Sequence, residues 1–80
     1  MKATEAVKEA AALAGVPVTH IGRAMGKRDN YVSVLVNKDT TPKADTLASM
    51  LAPCGYVLAA VPRDQVPAAA LVIDAPAPRA

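Results

Sequence analysis

The chain reads as a mainly α domain of four short helices followed by a short C-terminal β arm or hairpin. Three observations carry that expectation. Apolar residues recur at helical spacing through residues 4–54, glycines punctuate the segments between them, and beyond Gly55 the pattern changes to short continuous apolar runs. The expected organisation is a helical unit over 1–55, an arm over 56–74 and a disordered tail over 75–80.

The first helix is expected over 4–14, where Val7, Ala10, Ala11 and Ala14 fall at i, i+3, i+4 and i+7 and Leu13 widens the stripe. Thr4 is placed to cap it and Gly15 to end it. Val16-Pro17 then opens a second helix, since proline's fixed φ suits a first turn. Its apolar face is Val18, Ile21 and Met25, and Gly26 supplies the positive φ at which such a helix stops.

A third helix is expected over 29–36. Val32, Leu35 and Val36 occupy its inner face, while Asn30, Ser33, Val34 and Asn37 lie opposite, with Asp29 as a cap. The run Tyr31-Val32-Ser33-Val34-Leu35-Val36 taken alone favours a strand, because it is β-branched and aromatic. Gly26 and Asp29 before it and Thr41-Pro42 after it outweigh that propensity. After a loop over 37–43, a fourth helix presents Leu47, Met50, Leu51 and Cys54 on one face, with Pro53 disturbing its last turn.

The runs 56–61 and 69–73 read as strands separated by the turn-rich 62–67. An isolated hairpin is marginal in water. The strands must therefore lie on the helices or pair with a second chain, and the exposed backbone of 56–61 favours a second copy.

Eighty residues suffice for one small domain. The chain is 52% hydrophobic but has two Tyr and no Trp or Phe, so its core is built from Ala, Val and Leu. Such a thin core favours dimerisation. The net charge of +2 is unremarkable, but residues 19–43 carry five basic side chains against two acidic ones, a local +3.

Residues 4–55 resemble the lambda-repressor-like (Cro/C1, or XRE) helix-turn-helix family. The resemblance rests on Gly15, Ile21, Met25, Gly26, Tyr31, Val32, Leu35 and Asn37, then Thr41-Pro42, the run Asp45-Thr46-Leu47-Ala48, and Gly55-Tyr56. Three positions depart from the family pattern: Gly22 stands where a small alanine is common, Lys27 where an apolar residue is, and Val18 where a glutamine often makes a contact.

The resemblance implies a small transcriptional regulator of the phage or bacterial repressor type. It would bind a double-stranded DNA operator as a homodimer, with the third helix of each subunit in the major groove. Arg28, Asp29, Asn30, Ser33 and Val34 would read bases, and Thr19, Lys27, Asn37, Lys38, Thr40 and Thr41 would hold phosphates. Alternatives are the DNA-binding antitoxin of a toxin and antitoxin module, partnered by its toxin, or a protein-interaction adaptor without DNA binding. The implied setting is the cytoplasm of a bacterial or phage-infected cell, which a single cysteine and a charged start without a signal-peptide run suit.

An enzyme is not expected, nor a cofactor, metal or membrane span. His20 and Cys54 are each the sole residue of their kind, so there is no His and Cys metal cluster, and a nucleophile paired with a base would need these two to meet. His20 reads as an exposed residue and Cys54 as a small core residue. The stretch 22–27 superficially resembles a phosphate loop but is one residue short and lacks the following Ser or Thr.

Overall fold

The computed structural model describes residues 1–38 and 41–74. These form a small helical unit with α1 (Ala3–Ala14), α2 (Val18–Ala24), α3 (Tyr31–Asn37) and α4 (Ala44–Leu51), the last continued by a 3₁₀ turn at Ala52–Cys54. α1 packs on α4 and α3, and α2 packs on α3 and the 3₁₀ turn. No described helix is long and apolar enough to cross a membrane.

The helical spacing placed the core well. Val7, Ala10, Ala11, Ile21, Val32, Leu47, Met50, Leu51 and Cys54 form one buried cluster, in which Ile21 and Ala10 are fully enclosed. Val18, Met25, Leu35 and Val36 pack against it as half-buried neighbours. Leu13 and Ala14 remain exposed, so the stripe on α1 ends one turn earlier than its periodicity suggested.

Three helical segments end by the same device. Gly15, Gly26 and Gly55 adopt φ of 69°, 71° and 78°. At each, the glycine N–H and the following N–H reach back to carbonyls three and five residues earlier; at Gly26 these bonds are Gly26 to Arg23 at 3.0 Å and Lys27 to Gly22 at 2.8 Å. This pairing satisfies carbonyls that a helix end otherwise leaves open.

The helix starts differ from expectation. α1 begins before Thr4, which is buried inside its first turn, and the Lys2 amide instead donates to Glu5 Oε1 at 3.0 Å. α3 begins at Tyr31, after Asn30 rather than at Asp29, and no side chain caps it. Pro53 ends α4 by tightening the chain into the 3₁₀ turn while Cys54 stays buried.

The β arm expected over 56–74 is not shown: none of the described residues forms a strand. Residues 56–62 run as irregular chain, Arg63–Gln65 form a short 3₁₀ turn, and a turn at 68–69, closed by Ala70 N–H to the Pro67 carbonyl at 3.1 Å, takes up the start of the second run. Apolar runs become strands only where another strand receives their amides. Instead the arm folds back on its own helices, with Tyr56, Leu71 and Ile73 half-buried against the core. Its far end is held by Asp74 N–H to the Met1 carbonyl at 3.0 Å, and by the Met1 ammonium on the Val72 carbonyl and the Asp74 carboxylate. The disordered tail expected over 75–80 lies outside the described residues.

Candidate nucleic-acid interface

The surface of interest is built on α2, residues 25–30 and α3. Gly22 is buried where α2 meets the turn, and a Cβ placed there would lie 2.4 Å from the Arg28 carbonyl oxygen and 3.4 Å from Tyr31 Cβ. Any side chain at this point would push the turn outward. The same Arg28 carbonyl accepts the Tyr31 N–H at 3.0 Å, so the contact at Gly22 sets where α3 begins.

An ion pair spans this junction. Arg23 Nε donates to Asp29 Oδ1 and Arg23 Nη2 to Oδ2, each at 2.8 Å, a two-pronged arrangement from α2 to the turn. The hydrogen bond from Arg23 holds the Asp29 carboxyl below its ordinary range, and Asp29 in turn raises the guanidinium. Both side chains are more than half exposed, so the pair orients the turn without contributing much to stability.

Around this scaffold, Lys27, Arg28, Asn30, Asn37, Lys38 and Thr41 are exposed, as are Thr19 and His20 on α2. Lys27 Nζ stands 5.8 Å from the centre of the Tyr31 ring, close enough for a cation–π contact. Ser33 and Val34 are half-buried on α3. Apart from the Tyr31 hydroxyl, Ser33 and Asn37 are the polar side chains of α3, and Arg28 and Asn30 stand exposed just ahead of the helix. Thr40 lies outside the described residues.

Asp29 differs from the other residues expected to read bases. Both its oxygens are engaged by Arg23, and acceptance from a cytosine would require that pair to open. Sequence spacing carried no sign of the pair, since its partners sit six apart across a glycine turn rather than on one helix face. Lys8 was likewise missed. It lies on α1 yet lines a shallow cleft of about 130 Å³ together with Val18, Val32, Ser33, Val36 and Asn37.

Among the described residues no group of three or more His, Cys, Asp or Glu side chains is placed to hold a metal ion. His20 is exposed, whereas Cys54 is buried, where burial pushes its thiol up. No protein-family model, curated protein or solved structure matches this chain.

Proposed function

We propose that the protein is a sequence-specific double-stranded DNA-binding regulator of the lambda-repressor-like helix-turn-helix kind, without enzymatic activity. The observation that carries this reading is the junction of α2 and α3, where buried Gly22, the Gly26 turn and the Arg23–Asp29 pair hold a short helix beneath exposed cationic and amide side chains. A duplex offers a groove that admits a helix and phosphates that attract the cations beside it.

In this reading Arg28 pairs with guanine and Asn30 with adenine, while Ser33 and Val34 touch base edges deeper along α3. Lys27, Asn37, Lys38, Thr19 and Thr41 hold phosphates and fix the register. Asp29 acts through Arg23, as the residue that positions the turn.

One short helix covers few base pairs, and two related by a twofold axis would read half-sites about 10 base pairs apart. The arm supports a homodimer as the working form. Val57 is 85% exposed and Val61 49%, which leaves apolar side chains for a neighbouring chain to cover. In the dimer 56–61 would become a strand by pairing with its copy. The same exposed residues also suit the second reading, an antitoxin whose arm engages a toxin.

Selection of bound fragments from a random duplex pool, followed by titration across salt, tests the function. A log-log slope of about −0.9 per neutralised phosphate is expected, and a slope near zero or no binding at low salt would favour a protein-interaction adaptor.

A further inference from the structure

The cleft formed by α1 and α3 extends the proposed surface beyond the two-helix unit. Ser33 and Asn37 lie four residues apart, on one face of α3, and Val32 and Val36 complete its α3 wall. Val18 from the start of α2 closes one side, and Lys8 from α1 supplies the cation. Lys8 is exposed and makes no ion pair among the described residues, in contrast to Arg23, whose guanidinium is occupied by Asp29. A lysine and an amide side chain lining the same cleft are a set suited to an anionic oxygen.

We propose that Lys8 and Asn37 form a notch that holds one phosphate of the DNA backbone, with Lys8 its charged member and Ser33 left to face the base edges. This assignment rests on the DNA-binding reading and adds α1 to the surface. A cleft of about 130 Å³ has room for phosphate oxygens, and its apolar wall lowers the competition from water for the ammonium. The contact would tie the orientation of α1 to the register of α3. Because the phosphate is common to all sequences, Lys8 should contribute equally on every duplex.

The test measures binding of the full chain to a fluorescent random-sequence duplex between about 50 and 200 mM salt, for the native protein, Lys8→Gln, Lys8→Arg and Arg63→Gln. Arg63 sits in the 3₁₀ turn of the arm and reports the effect of losing one positive charge elsewhere. Lys8→Gln should shrink the slope by about 0.9, so that the fourfold rise in salt costs it about 3.5-fold less affinity than it costs the native chain. Lys8→Arg should restore the native slope, and Arg63→Gln should leave it unchanged. An unaltered slope for Lys8→Gln, or an equal reduction for Arg63→Gln, would overturn the notch while leaving DNA binding intact. Absence of native binding under all conditions would instead remove the DNA reading and the notch with it.

Discussion

The helical unit and the arm are both rich in aliphatic residues, yet one encloses a core of them fully and the other buries its own only in part. In α1 to α4 the apolar positions recur on one face, so each helix satisfies its own backbone and offers a stripe to its neighbours. In the runs 56–61 and 69–73 the apolar residues are consecutive. Half of any such run must point away from a single surface, and its amides need another strand. The result is a core with Ile21 fully buried beside an arm whose Val57 is 85% exposed. A groove of about 250 Å³ remains between the arm and the helices, lined by Ala6, Leu51, Tyr56, Leu58, Leu71 and Ile73. Hydrophobicity alone does not produce burial; periodicity matched to the element does.

The sharpest way to break this contrast is at its best-buried point. Ile21→Ala should lower unfolding free energy by about 2–5 kcal/mol, read from urea denaturation, because the surrounding helices cannot close the space. A loss no greater than that of an arm substitution would mean that the helical unit does not dominate stability.

Gly22→Ala adds one methyl against the Arg28 carbonyl, a backbone atom held by the turn. It should cost about 1–3 kcal/mol in the same assay. Under the proposed DNA-binding function it should also weaken duplex binding more than the stability loss explains, since the start of α3 must shift. Unchanged stability would show that the turn can move aside freely.

Within the arm, Leu71→Ala removes a half-buried side chain and should cost only about 1 kcal/mol. Hydrogen exchange sharpens the point: amides of 57–61 should exchange far faster than those of α1 and α4, which should require global opening. Strong protection of 57–61 that grows with protein concentration would instead mark pairing with a second copy.

The smallest effect concerns the Arg23–Asp29 pair. The Asp29 carboxyl lies below its ordinary range when folded, so any stabilisation is present above the unfolded-state value and is lost as pH falls through the folded one. Thermal scans should show native and Asp29→Asn proteins differing slightly at neutral pH and converging in acid. A gap that persists in acid would assign the difference to packing rather than charge.

How much of this was legible beforehand depended on the range of the interaction. Val7, Ala10, Val32, Leu47 and Met50 were placed in the core by spacing alone, because a helix presents residues three and four apart to one neighbour. Gly15 and Gly26 announced helix ends since few other residues tolerate positive φ. Thr4 misled, because the capping preference is local and burial against the other helices draws the start of α1 earlier. The runs 56–61 and 69–73 form no strand in the single chain for the complementary reason: strand propensity describes a residue's fit to a sheet but supplies no partner.

Composition and periodicity thus determined a helical unit, its core residues, its glycine stops and the change of character after Gly55, all properties of neighbours within about a turn of one another. The tertiary structure decided what depends on residues distant in the chain or separated by a turn. It set the exclusion of a side chain at Gly22 by Arg28, the engagement of Asp29 by Arg23, the return of Asp74 to Met1, and the placing of Lys8, Ser33 and Asn37 around one cleft. Such contacts arise only when packed helices bring separate faces together, and no spacing rule along one segment encodes them.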